Sequence, residues 1–245
     1  MNKLNPSSLH INPNVSVDCV IFGYDGQNLN VLLVRQTSAQ GDVAIKLPGS
    51  LIFDEEDLDE SAQRVLRELT GLNSVQMQQF HAFGSKDRTQ NPDDMRWLTR
   101  FHQLSGNVKR IVTVAYWALL KIGSRLESLS TRYEASWVPL EQIGKLAFDH
   151  NLIVERAIAH LRQYAEQNPI LLIELLPRKF TASQLRSFFE VVYNCEYDVR
   201  NFHKKLLQMN YVVPLDEYET RVAHRAARYY KFDKVRYNQF SRRMS

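Results

Sequence analysis

The stretch that decides the fold is LPGSLIFDEEDLDESAQRVLRELTGL, residues 47–72. After Pro48-Gly49 and an acidic loop, Asp57 and Glu60 have the spacing of a capping box, with Asp in place of Ser or Thr. Apolar residues then recur at helical spacing, at Leu58, Ala62, Val65, Leu66 and Leu69. Because Gly71 ends the pattern, the stretch predicts a loop followed by an amphipathic helix.

Strand-forming runs lie on both sides of this stretch. Ser16–Tyr24 and Asn30–Gln36 are rich in β-branched and aliphatic residues, and Asp25-Gly26 between them predicts a hairpin. Further strands are expected near Val43–Leu47, Gln79–Phe83 and Ile111–Leu120. Strands mixed with few helices predict an α+β fold.

The second half begins with a helical pattern that Asn168-Pro169 breaks, which predicts a domain boundary there. Three helices are expected beyond it, over Ile170–Leu176, Ala182–Asn194 and Val199–Met209. Two strands follow, Tyr211–Pro214 and Arg228–Phe232, on either side of a charged loop over Leu215–Arg225. Three helices and a two-stranded ribbon predict a winged helix-turn-helix.

Charge is distributed unevenly between the two halves. Residues 1–150 hold 15 Lys and Arg against 17 Asp and Glu, whereas residues 151–245 hold 16 against 10. A basic second half favours a polyanionic partner such as nucleic acid. The alternative is that each of these basic residues belongs to an ordinary solvated surface. The candidate DNA contacts are Arg200, Asn201, Lys204 and Lys205 on the third helix and Arg221, Arg225 and Arg228 in the wing.

Several classes of protein are excluded by composition. The longest apolar run, Ile111–Leu120, is about half the length that a membrane helix needs. The N-terminus lacks the apolar core of a secretory signal, which predicts a cytoplasmic protein. Cys19 and Cys195 form no metal or redox motif and the histidines show no ligand spacing, so we expect neither a structural metal nor a cofactor.

Residues 47–72 also resemble a known motif. Leu47-Pro48-Gly49, Glu56, Arg64, Leu66, Glu68, Gly71 and Leu72 stand at the spacings of the Nudix box, so the first half resembles a Nudix domain, an α/β/α sandwich. In Nudix hydrolases the run Arg-Glu-aliphatic-x-Glu-Glu holds a divalent metal against a diphosphate. Here Val65 and Leu69 replace two of those three carboxylates, and Ser50 replaces a glycine. We therefore expect no enzyme; the alternative is an active hydrolase whose site is rebuilt from nearby acids.

A defective Nudix box joined to a winged helix resembles the Nudix-related transcriptional regulators. The resemblance implies a homodimeric repressor or activator that binds a palindromic operator and responds to a small-molecule effector. On this reading, the chain divides into an effector domain at residues 1–150, a connecting helix at 151–168 and a DNA-binding domain at 169–245. A winged helix that binds protein is a third reading, and it predicts no salt-dependent DNA affinity.

Two effectors follow from the resemblance: ADP-ribose, in regulators of NAD synthesis, and L-arabinose, in a Bacteroidetes branch that regulates carbohydrate metabolism. A neutral sugar needs no metal ligands, and this argument, with the unusual segment Thr89–Lys109, favours L-arabinose. Arg or Lys can hold a diphosphate without metal, so ADP-ribose is the alternative. The candidate effector contacts are Asp18, Arg35, Lys46 and Asp87, each of which is otherwise an ordinary surface or salt-bridge residue.

Overall fold

The computed structural model describes residues 10–38, 41–73, 75–102, 110–123, 129–130, 132–220 and 226–244. The chain forms two compact units that divide between His160 and Leu161, with Gly26–Leu29 grouping with the second. No helix within these residues is long and apolar enough to cross a membrane. The division into 1–150, 151–168 and 169–245 stays a prediction.

A mixed seven-stranded sheet forms the centre of the first unit. Its strands are β1 (Ile11–Tyr24), β2 (Leu29–Thr37), β3 (Val43–Lys46), β4 (Gly49–Phe53), β5 (Gln78–Phe83), β6 (Val112–Lys121) and β7 (Ser136–Pro139). The order is β3-β2-β1-β6-β5, while β4 pairs with β1 and β7 with β2. β1 runs parallel to β6 and antiparallel to β4, so β1 has neighbours over most of its length.

The helix α1 (Leu58–Thr70) confirms the capping box predicted before it. The Asp57 side chain accepts the Glu60 N–H, the Glu60 side chain accepts the Asp57 N–H, and Gly71 ends the helix at a φ of 80°. The apolar face of α1 packs with residues of β1 and β2, such as Val17 and Leu32, in the main core. This burial fixes α1 against the sheet.

Two further helices complete the first unit. α2 (Pro92–His102) lies within the segment Thr89–Lys109, where the sequence pattern predicted no helix. Its Trp97 and Leu98 pack with Leu51 and Ile111. Because its apolar partners are distant in sequence, local periodicity did not reveal it. α3 (His150–Gln167) follows a 3₁₀ turn at Leu140–Gln142 and continues into the second unit.

The second unit contains helices packed on a short sheet. Its elements are α4 (Ile170–Ile173), β8 (Phe180–Thr181), α5 (Ala182–Tyr193), α6 (Val199–Gln208), β9 (Val212–Tyr218), β10 (Arg228–Phe232) and α7 (Lys234–Met244), with strand order β8-β10-β9. Thr181 forms a capping box with Gln184, and Asp198 caps α6. Four features differ from expectation: β8 adds a third strand to the predicted two-stranded ribbon, α4 is one turn long, β9 reaches Tyr218, and α7 was not predicted.

Arg64 holds the acidic loop against the start of α1. Its guanidinium donates to both Glu56 carboxylate oxygens and to the Leu51 carbonyl, and it lies 4.2 Å from the Phe53 ring centre. The Arg64 and Glu56 side chains are only 14% and 12% exposed. Burial alone would raise the pKa of Glu56, but hydrogen bonds from Arg64, Phe53 and Ser61 hold it below its usual value.

We expect Arg64→Ala to lower the free energy of unfolding by about 3 kcal/mol, because it leaves the mostly buried Glu56 carboxylate without its cation. Urea denaturation measures this. Glu68→Ala is the matched control, since its exposed pair with Arg64 at 3.4 Å contributes less than about 1 kcal/mol. Equal losses in the two variants would contradict the structural role assigned to the Arg64–Glu56 pair.

Candidate effector pocket and nucleic-acid interface

A small cavity of about 40 Å³ lies in the first unit, around the buried carboxylate of Asp18. Residues from β1, the β3–β4 turn, α2 and the start of α3 line it, among them Ser16, Asp18, Lys46, Arg88, Trp97 and His150. The indole Nε1 of Trp97 is buried and has no hydrogen-bond partner within the described part of the chain. The cavity wall therefore combines charged side chains with an indole ring.

Asp18 is held by groups from three other parts of the unit. The Thr113 hydroxyl donates to it at 2.7 Å, and its oxygens lie 3.8 Å from Arg88 and 3.4 Å from His150. Burial alone would raise the pKa of Asp18, but these neighbours and Lys46 hold it below its usual value. Asp18 therefore carries its negative charge inside the fold.

Gly49 is required by the close approach of Asp18. The two residues are paired in register between β1 and β4, and a Cβ at position 49 would lie 1.9 Å from an Asp18 carboxylate oxygen. Any side chain there would displace the buried carboxylate. The glycine of the Leu-Pro-Gly motif therefore has a steric role at the cavity wall.

Arg88 connects Asp18 to the beginning of α3. Its side chain is 5% exposed and donates at 3.0 Å to both the Phe83 carbonyl and the Asp149 carboxylate. Asp149 directly precedes α3, and burial raises the pKa of its carboxyl group. A change in the position of Arg88 therefore acts directly on the start of this helix.

Lys46 and His150 complete the charged wall. The Lys46 ammonium donates to the Gly49 carbonyl and lies 5.4 Å from the Trp97 ring centre, and burial lowers its pKa to about 8. His150 Nδ1 accepts the Leu47 N–H at 3.0 Å, so the neutral ring carries its proton on Nε2, towards Asp18. The cavity wall thus contains two cations, Lys46 and Arg88, and one carboxylate, Asp18, while Asp149 is bonded to Arg88 outside the lining.

The structure brings two of the four predicted effector contacts, Asp18 and Lys46, to the cavity. Arg35 points away from it because strand alternation buries Val34 and Gln36 instead, and Arg35 faces Glu134 at 3.8 Å. Asp87 lies in an exposed turn and accepts a hydrogen bond from Gln90. Arg35 and Asp87 therefore do not line this cavity, and the expectation that any of the four contacts the effector stays a prediction. Sequence reasoning missed the cavity residues Arg88, Trp97 and His150.

The two aliphatic positions of the Nudix box belong to the core. Val65 and Leu69 are buried with residues of β1 and β2, whereas Glu68 is exposed and paired with Arg64. No group of three or more His, Cys, Asp or Glu side chains placed to hold a metal occurs in the part of the chain that the structure describes.

Of the predicted DNA contacts, Arg200, Asn201 and Lys204 are exposed on α6. The Asp198 side chain accepts the backbone N–H groups of Arg200 and Asn201 and so fixes the first turn. Two further candidates have partners within the unit. The Lys205 ammonium lies about 5 Å from the ring centres of Phe189 and Tyr197, and Arg228 is bonded to the Leu215 carbonyl and Asp216. Arg221 and Arg225 lie outside the described residues.

These features define a Nudix domain followed by a winged helix. The family model described as NUDIX domain matches residues 12–161, more than half of the chain, and the chain therefore belongs to the Nudix family. The model described as NrtR DNA-binding winged helix domain matches residues 172–232. The predicted fold class, α+β with a Nudix sandwich and a C-terminal winged helix, is confirmed.

Two relatives are similar to about nine tenths of the chain, and a third to its first part. The ADPR responsive transcriptional repressor NtrR of Acinetobacter baylyi is 28% identical over 225 residues, which cover 90% of this chain and 82% of the relative. The crystal structure of Shewanella oneidensis NrtR complexed with a 27mer DNA has a TM-score of 0.61 at 25% identity, covering 89% of this chain and 93% of that one. An ADP-ribose pyrophosphatase of Methanocaldococcus jannaschii is 28% identical over 147 residues, 60% of this chain and 74% of the relative.

Acidification tests the arrangement around His150. Its pKa is lowered to about 4, first by burial and then by Lys46 and Arg88, so its contribution to stability is complete above its ordinary 6.5 and is lost as the pH falls towards 4. Between pH 7 and 5 we expect His150→Asn to lose about 2 kcal/mol less of unfolding free energy than the unchanged chain.

Urea denaturation at each pH measures this difference. Burial also lowers the pKa of His102 to about 4. His102 therefore makes the unfolding free energy depend on pH in the unchanged chain and in His150→Asn alike. The exposed His203→Asn is the control and should follow the unchanged chain. Parallel pH profiles for His150→Asn and the unchanged chain would contradict the neutral, buried state of His150.

Proposed function

We propose that this protein is a DNA-binding transcriptional repressor that responds to a small molecule bound in its Nudix domain. The observation that carries the proposal is the presence in one chain of a partly open cavity with charged side chains in its wall and a capped helix with an exposed basic face. A repressor with an ADP-ribose response is similar over 90% of this chain. By analogy, the repressor acts as a homodimer on a palindromic operator.

In the proposed complex, α6 lies in the major groove. Arg200, Asn201 and Lys204 stand in its first turns, where the recognition helix of a winged helix meets base edges and phosphates. Arg228 fixes the base of the wing through its bonds to Leu215 and Asp216, which positions the ribbon beside the DNA backbone.

Replacing both Arg200 and Lys204 by Ala should weaken operator binding more than tenfold at one fixed salt concentration, because two phosphate or base contacts are lost. Fluorescence anisotropy with DNA from upstream of the chain's own gene measures the affinity. The charge-matched control replaces Lys121 and Arg156, exposed cations of the first unit, and should bind normally. If the Arg200 and Lys204 variant bound DNA as tightly as the control variant, α6 would not be part of the interface.

ADP-ribose is the effector that the comparisons favour, through a repressor described as responsive to it and a pyrophosphatase that acts on it. Arg88 and Lys46 are buried cations suited to a diphosphate. L-arabinose is the second candidate, and only the cavity favours it. The hydroxyl groups of a sugar would exchange hydrogen bonds with the polar and charged side chains of the cavity wall, such as Ser16 and Asp18. None of the relatives named above is described as binding a sugar.

The proposed response begins at Arg88. An effector that binds Asp18 or Arg88 competes with the Arg88–Asp149 bond at the start of α3. Because α3 runs without a break from His150 to Gln167, a shift at its first residue reaches the helix end in the second unit. Regulation then requires only that the effector binds more tightly to one position of α3 than to another. A coupling free energy of about 1–3 kcal/mol between effector binding and DNA binding changes the DNA affinity roughly 5- to 150-fold.

Titrating the DNA complex with ADP-ribose and, separately, with L-arabinose identifies the effector. We expect ADP-ribose to release the DNA, and Arg88→Lys to bind DNA normally but to lose most of the response, because Lys cannot hold Asp18 and Asp149 together. Release by L-arabinose alone would favour the second candidate. DNA binding that neither molecule changes, together with magnesium-dependent hydrolysis of ADP-ribose, would replace this proposal by a Nudix hydrolase.

A further inference from the structure

Apolar side chains stand among the cations on the exposed face of α6. Val199 and Leu207 are 63% and 69% exposed, although the buried face of the helix is already formed by Phe202 and Leu206. A single exposed aliphatic residue is ordinary. Two on a ten-residue helix, one of them a valine that is a poor helix former, are not accounted for by packing or by helix propensity.

Val199 and Leu207 lie beside the basic residues Arg200 and Lys204 on the surface of α6. Residues 199, 203 and 207 are four apart and lie along one side of the helix, adjacent to the row that contains Arg200 and Lys204. Leu207 follows Lys204 by three residues and so continues the basic row by one turn. Val199 also borders a depression of about 130 Å³, whose other lining residues are Ala182, Ser183, Arg186, Phe202 and His203.

We propose that Val199 and Leu207 contact the C5-methyl groups of thymines in the major groove, and thereby determine part of the operator sequence. This inference rests on the proposed DNA-binding function. The flanking cations attract DNA phosphates, and the apolar group that a major groove offers between its hydrogen-bonding atoms is the thymine methyl. The two residues are about 12 Å apart along the helix axis, and base pairs are about 3.4 Å apart, so the two thymines lie within about four base pairs of each other.

Removing the methyl groups tests this contact directly. The full-length chain first selects its preferred duplex from a random pool, and each thymine of the half-site is then replaced by deoxyuridine, which keeps base pairing and O4 but lacks the methyl. Anisotropy at fixed salt measures the affinity. We expect two positions, within about four base pairs of each other, at which the substitution weakens binding about fourfold, equivalent to about 0.8 kcal/mol for one methyl group.

Protein variants then assign each methyl group to a residue. Leu207→Ala should bind the unmodified duplex about fourfold more weakly and become insensitive to deoxyuridine at one position, and Val199→Ala should do the same at the other. Val235→Ala is the matched control, since Val235 is 68% exposed on α7 and should leave both affinities unchanged.

The outcomes separate this inference from the function on which it rests. Equal binding to thymine and deoxyuridine duplexes would overturn the methyl contact while leaving the repressor intact, as would an equal loss on both duplexes in the two Ala variants. Failure to select any duplex would overturn the DNA-binding function and this inference together.

Discussion

The buried carboxylate of Asp18 is the group on which the first unit depends. A charge removed from water requires compensation, and Asp18 obtains it from Thr113 on β6, Arg88 after β5 and His150 at the start of α3. Its oxygen also occupies the space where a side chain at Gly49 would begin. One desolvated charge thus explains the Leu-Pro-Gly turn, the buried arginine and the position from which α3 starts.

The helix α3 joins that charged centre to the second unit. At its start, Asp149 accepts a bond from Arg88 and His150 accepts the Leu47 N–H. Near its end, Arg162 donates to the Val192 carbonyl of α5 at 2.8 Å. Each unit therefore holds its own part of one continuous helix through a side-chain hydrogen bond. A ligand in the cavity has a short covalent route to the domain that carries α6, and this is the physical basis of the proposed regulation.

Features determined by neighbours in sequence were predictable, and those determined by distant contacts were not. The capping residues Asp57, Thr181 and Asp198 mark their helices within a few positions, and each helix begins where expected. α2 was missed because Trp97 is buried by residues from other elements. Two cavity residues, Asp18 and Lys46, were predicted because they lie in strand patterns. Arg88 and His150 were not, because only the folded chain brings them next to Asp18.

The burial of Val65 and Leu69 also constrains how such a protein can evolve. In the present core a glutamate at either position would be a charged side chain among aliphatic neighbours, at a cost of several kcal/mol before any metal site is complete. Single mutations towards the three-carboxylate helix therefore lead through unstable intermediates. The packing of α1 therefore favours retention of the aliphatic pair in related sequences, because each carboxylate introduced alone would lower the stability of the first unit.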